Sequence, residues 1–178
     1  MITITGDASK VIKDLNQQQR KVVKPSVTAA LNQTGSMVQT AWRRKVAGDL
    51  GIPQKHLKGK LKLFRATFRK GNAKIWLGKQ QSIPVSKVLK SKSKQRRYMK
   101  EHHPVEADRI FWAKMPSGHE GVFFRKGKKR LPIQEGYIDF TRISNTALHF
   151  LGRSISDKVF SGKLTHELKR RLARLKTR

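Results

Sequence analysis

The chain has 178 residues and no cysteine, and its 41 Lys and Arg stand against 11 Asp and Glu, a formal charge of +30. This length favours one domain, and the missing cysteines exclude disulfides and thiolate metal sites. A compact body with this charge repels itself unless it meets a polyanion, an acidic protein surface or an oligomeric assembly.

Ile2 to Thr5 alternates as a short strand would, and Asp7 or Ser9 can cap a first helix carrying Val11, Ile12 and Leu15. Pro25 predicts a corner at Lys24 and the start of a long helix to Leu50. Val27, Ala30, Leu31, Thr34, Val38, Ala41, Trp42 and Val46 recur there at helical spacing, and Gly48, Gly51 and Pro53 end the helix. A helical turn is expected over 53–58. Leu61 to Arg69 reads as a strand with Phe64, Ala66 and Phe68 pointing one way and Arg65, Thr67 and Arg69 the other. Gly71-Asn72 turns it into a partner strand in which Ala73, Ile75 and Leu77 alternate with Lys74 and Trp76. Ile83 to Leu89 reads as an edge strand interrupted by Pro84.

Lys90 to Pro104 (KSKSKQRRYMKEHHP) breaks the composition and predicts an exposed basic loop or arm. Strand character returns over 105–115 and 121–124, with Pro116-Ser117-Gly118 as a turn between them. A basic turn, Lys126 to Arg130, leads into an edge strand over 131–137 containing Pro132. From a cap at Thr141, Ile143, Ala147, Phe150, Leu151, Ile155 and Val159 form a second helical stripe. Ser161-Gly162 predicts a kink before Leu164, Leu168, Leu172 and Leu175 continue it. The expected fold is α+β: long N-terminal helices and a C-terminal helix on a small, mainly antiparallel sheet. It forms one domain over 1–178, with the basic arm at 90–104 inside it.

No enzyme is expected from these residues. Glu106 and Asp108 would share one strand face, with Glu135 and Asp139 as possible neighbours, but their spacing fits no nuclease motif. The histidines (His56, His102, His103, His119, His149 and His166) lack a zinc-ligand pattern, and neither a GxSxG elbow nor a phosphate-binding glycine loop occurs. No cofactor and no metal are expected. Four basic clusters remain: Arg43, Arg44 and Lys45; Lys90, Lys92, Lys94, Arg96, Arg97 and Lys100; Lys126, Lys128, Lys129 and Arg130; and Lys169, Arg170, Arg171 and Arg174 in the run ending at Arg178. Such groups contact phosphates without reading sequence, and Tyr98 is placed to stack on a base. No zinc finger, RNA-recognition signature or helix-turn-helix is present. The same clusters suit an acidic protein partner. No segment approaches the roughly 18–20 apolar residues of a membrane span, and no secretory signal opens the chain, so a soluble, intracellularly made protein without a membrane partner is expected.

The order of several short pieces resembles the prophage minor tail protein Z family of lambda-like phages. These are Ala29-Ala30-Leu31-Asn32 on the long helix, Lys45-Val46, Gly51-Ile52-Pro53, Leu61 to Phe68 with Arg65-Ala66-Thr67, Lys74-Ile75, Ile83-Pro84-Val85, Arg130-Leu131-Pro132-Ile133 and the basic tail Leu168 to Arg178. The resemblance implies a tail-completion protein at the head-proximal end of the tail, made in the host cytoplasm and carried in the virion. Its implied neighbours are the tail terminator, the tail tube and the head–tail connector. The positive charge then serves the genomic DNA end or an acidic ring. A ring following the tail's symmetry predicts a homo-hexamer, with the strand edges at 83–89 and 131–137 and the C-terminal helix as interface elements. The competing class is a ribosomal-type or other non-sequence-specific nucleic-acid-binding protein.

Overall fold

Among the described residues, two helices of more than thirty residues, shorter helical segments and eight short strands form an α+β fold. The computed structural model describes residues 2–5, 17–79, 81–127 and 129–176. The first helix expected around Val11, Ile12 and Leu15 lies outside the described residues. The chain divides into two compact units, one built from 1–79 with 142–178, the other from 80–141 inserted between them.

The first unit is organised by helix α1 (Gln17–Leu50). Val27, Ala30, Leu31, Thr34, Val38, Trp42 and Val46 are buried, as their spacing predicts, and Ala41 is half-buried at the edge of the stripe. The corner at Lys24 is not there: the helix runs straight through Pro25. Val22 and Ser26 are buried on the same stripe, which therefore continues across the proline. Burying a valine contributes about 1.5–3 kcal/mol, enough to offset much of the roughly 3 kcal/mol an interior proline costs. The Ser26 and Thr28 hydroxyls donate to the carbonyls of Val22 and Lys24, one turn back. At the other end Gly51 has φ 62, and the N–H groups of Gly51 and Ile52 donate to the carbonyls of Gly48 and Ala47. That is a Schellman closure, and Ile52 and Ala47, the residues at its two ends, are both buried.

A short 3-10 turn (Gln54–Leu57) follows, as expected. A three-stranded antiparallel sheet then forms in the order β1 (Ile2–Thr5), β3 (Asn72–Leu77), β2 (Leu61–Phe64). Leu61 pairs with Leu77, Lys62 with Trp76, Leu63 with Ile75 and Phe64 with Lys74. Ala73, Ile75 and Leu77, which alternate with Lys74 and Trp76 as expected, face the core. On β2 the apolar side read from Phe64, Ala66 and Phe68 is not the buried one: Leu61 is buried while Phe64 and Phe68 are 55% and 61% exposed. The strand stops at Phe64, and only Ala66 of those three is buried. Leu63 explains the choice, because its Cδ1 lies 2.7 Å from where a Cβ on Gly35 of α1 would sit. The helix approaches the sheet closely there, and a one-residue slip of β2 would replace that contact and turn every side chain over.

Polar groups of α1 fix the edge strand. Gln39 Nε2 donates to the Leu61 carbonyl at 2.8 Å, and Asn32 pairs with both the N–H and the carbonyl of Ala66. The final helix, which begins at Thr141 and ends at Lys176, shows no break at Ser161-Gly162. One exposed glycine costs only about 1 kcal/mol in a helix. Its buried stripe is rotated from the predicted one: Ser144, Ala147, Leu148 and Gly152 are buried, and Phe150 is 70% exposed. Trp42, fully buried, donates its indole N–H to the Ser144 carbonyl at 3.1 Å. Gln33 of α1 donates to Glu167, which also binds Arg170.

The second unit pairs β4 (Ser82–Pro84) with β8 (Tyr137–Asp139), and builds a separate sheet in the order β5 (Ile110–Lys114), β6 (Glu120–Arg125), β7 (Ile133–Glu135). The expected edge strand over 83–89 is shorter, giving way to one helical turn, α2 (Val85–Val88). The expected strand from 105 begins at Ile110, after a 3-10 segment (Pro104–Arg109). Gly118, with φ 81, closes the turn between β5 and β6. The basic arm expected at 90–104 is a helix, α3 (Lys92–His102). Gln95 and Met99, one turn apart, are its buried contacts, and Gln95 Nε2 donates to the Leu89 carbonyl. Two buried residues in eleven leave almost no periodic signal in sequence, yet they seat the helix. Met99 packs against Gly136, whose missing side chain leaves room for the Met99 sulfur. The final helix is numbered α4 (Thr141–Lys176).

Candidate nucleic-acid and assembly surface

Charge is distributed over both units. Residues 1–79 and 142–178 hold 27 Lys and Arg against 5 Asp and Glu, and residues 80–141 hold 14 against 6. Neither unit is a neutral scaffold with a basic appendage.

In the second unit, α3 gathers the densest patch. Ser93, Arg96, Arg97, Lys100 and Glu101 line one shallow cleft, at the i, i+3, i+4, i+7 spacing of a single helix face. Lys94 is also exposed, as is Lys90 just before the helix. Arg97 is paired with Glu101 at 2.9 Å. Lys92 is held differently, its ammonium lying 3.6 Å from the centre of the Trp112 ring. The Tyr98 ring stacks on His102 at 4.0 Å, so the face expected to receive a base already carries an imidazole. Burial raises the Tyr98 phenol above its ordinary value. In the turn between β6 and β7, Lys126, Lys129 and Arg130 are exposed; Lys128 lies outside the described residues.

In the first unit the expected clusters are less coherent. Arg43, Arg44 and Lys45 are consecutive on α1, and steps of about 100° splay them around the helix. Arg43 is half-buried, Arg44 is exposed, and Lys45 binds Asp49 at 2.7 Å. On α4, Lys169 and Arg174 are exposed, whereas Arg170 and Arg171 turn back to Glu167. Glu167 is 5% exposed and its carboxyl is held below the ordinary range. The hydrogen bond from Arg170 is the main cause, opposed by burial and reinforced by Gln33 and the charges of Arg170 and Arg171. Arg170 and Arg171 are thus both engaged with a buried carboxylate.

Glu106 and Asp108 fall on the 3-10 segment, not on a strand. Glu135 instead accepts hydrogen bonds from Ser86, His119 and Tyr137, at 3.1, 2.9 and 3.2 Å. Tyr137 is raised by burial, with the Glu135 charge and hydrogen bond adding to it. Asp139 caps the start of α4 by accepting from the Thr141 N–H and hydroxyl, and these bonds lower its pKa. Among the described residues no three His, Asp or Glu side chains group as a metal site, and no helix is long and apolar enough to cross a membrane.

One surface escaped the sequence reading. On β2 and β3 the side opposite the buried Leu61, Ala73, Ile75 and Leu77 presents Lys62, Phe64, Lys74 and Trp76, all exposed. The Lys62 ammonium lies 5.7 Å from the centre of the Trp76 ring. A sequence signal for it existed: no Asp or Glu occurs between Asp49 and Glu101.

The described residues form a long-helix α+β scaffold with basic surfaces on both units. The model of the prophage minor tail protein Z family matches residues 6–178, so the chain belongs to that family and is a minor tail component of a phage virion, made to interact with other tail components. Comparison with curated proteins and with solved structures gave no significant match.

Proposed function

We propose that the protein is a tail-completion subunit, acting at the head-proximal end of the tail to make it competent for joining the head. The family supports a tail role. The excess of cations in both units is the observation that carries the head-proximal reading. The upper end of a tail is where a tail protein meets the genomic DNA end, and a field of this sign raises the local concentration of a polyanion and speeds its capture. Arg44, Lys94, Arg96, Lys100, Lys126, Lys129, Arg130, Lys169 and Arg174 are exposed for that role. They can bind phosphates without sequence preference. The protein acts as a ring, a hexamer matching the tail, beside the terminator, the tail tube and the head–tail connector. β4 and β7, at the edges of their sheets, and the outer surface of α4 supply interfaces between neighbours. Its work is structural and non-enzymatic.

The test is complementation of particles assembled without the chain. Tails of normal length that fail to yield infectious particles, and recover when the purified chain is added, are the expected result. Fully infectious particles without it, or no tails at all, would contradict a completion role.

A further inference from the structure

The basic outer face of the β1–β3–β2 sheet carries chemistry that phosphate contacts alone do not use. Trp76 is 41% exposed and Phe64 55% exposed, on a strand pair whose other side is the core. Isolated apolar residues at a surface need no explanation. Here, though, two rings share one face, each with a lysine as its cross-strand partner: Lys62 opposite Trp76, and Lys74 opposite Phe64. The two aromatic positions are diagonal neighbours, which in an antiparallel pair lie roughly 7–8 Å apart along the backbone. Phe68, 61% exposed, lies in the loop joining the two strands, with the Lys24 ammonium 5.5 Å from its ring centre. That loop is pinned at Ala66 by Asn32, and a Thr67–Lys70 turn closes its tip.

We propose that this face is a platform for single-stranded nucleic acid, with Trp76 and Phe64 stacking on unpaired bases and Lys62 and Lys74 neutralising the adjoining phosphates. The alternation decides the occupant. An apolar protein surface covering the two rings would have to desolvate both lysines, and among the described residues no acidic side chain pairs with either one. Only a partner offering flat π-faces and negative charge at alternating positions satisfies all four groups. An unpaired strand does so, whereas a duplex keeps its bases stacked inside and offers phosphates alone. Sheet aromatics used in this way tolerate any sequence, because every base has a π-face. The inference goes beyond the phosphate contacts proposed above, and its test requires no tail.

The experiment uses the purified full-length chain and measures binding of a fluorescent oligothymidine, of an abasic oligomer of equal length and of a duplex. The salt must be high enough that phosphate contacts, which weaken steeply with ionic strength, no longer mask stacking. The oligothymidine is expected to bind more tightly than the abasic strand. Trp76→Ala and Phe64→Ala should each weaken that binding roughly tenfold while leaving duplex binding within about twofold. Both side chains are exposed, so unchanged thermal unfolding confirms the fold, and Trp76→Phe, which keeps a ring, should recover most of the affinity. Equal binding of the abasic and base-bearing strands, or full affinity in both alanine variants, would overturn the platform. So would self-association that Trp76→Ala abolishes, since the face would then be an interface between copies.

Discussion

Glu167→Gln tests the join between the two long helices most sharply. The native carboxylate accepts from Gln33 on α1 at 3.0 Å and from Arg170 on its own helix at 2.7 Å, with Arg171 3.7 Å away. Glutamine keeps the shape but leaves two guanidinium groups without their anion in a chain already at +30. Removing one partner of a fully buried pair costs about 3–5 kcal/mol. Arg170 and Arg171 retain 38% and 29% side-chain exposure, so water recovers part of that, and a loss of roughly 2 kcal/mol is expected. For a chain of this size that is about 4–8 °C in melting temperature. The pH dependence adds a second signature. The folded carboxyl titrates below its ordinary value of 4.5, so its stabilisation is fully present above the unfolded pKa and is lost as pH falls through the lower folded one. Calorimetric melts of both proteins from pH 7 down to pH 3 should therefore start several degrees apart and converge in acid. A constant gap across that range, or no gap at pH 7, would refute the role assigned to Glu167.

Three further outcomes follow from local geometry. Gly51→Ala places a Cβ at φ 62 in the Schellman closure of α1 and should cost about 1 kcal/mol, read as a lower denaturant midpoint with unchanged slope. Gly136→Ala sets its new carbon 2.7 Å from the Met99 sulfur. A loss of about 1–3 kcal/mol is expected, and pairing it with Met99→Ala should give less than the sum of the two single losses. Arg96→Ala with Lys100→Ala on the exposed face of α3 should lower the slope of log binding constant against log salt for duplex DNA by about 2; an unchanged slope would place the phosphate contacts elsewhere.

The sequence exposed the fold where hydrophobic period and length agreed. The α1 stripe from Val27 to Val46 and the inward set of β3 are both where their spacing puts them. It misled where two phases were compatible with the same residues. LKLFRATFR offers either Leu61 and Leu63 or Phe64, Ala66 and Phe68 to a core, and only the close approach at Gly35 selects the first. On α4 the eye is drawn to Phe150, but packing against Trp42 turns Ser144 and Leu148 inward. For the surface the difficulty is of another kind. Counting cations finds all the basic residues, but cannot distinguish Arg170, bound to a buried carboxylate, from Lys169 beside it. Nor can it show that Tyr98 is already stacked. Clusters of consecutive cations read as patches in one dimension; helical geometry scatters Arg43, Arg44 and Lys45 while gathering Arg96, Arg97 and Lys100.

The most direct measurement is a reconstruction of the neck of an intact particle with this chain located in it. Six copies at the head-proximal end of the tail, with α3 and its cations toward the DNA, are the predicted result. A copy number that is not a multiple of six would remove the ring, and a position at the distal tip would contradict tail completion itself.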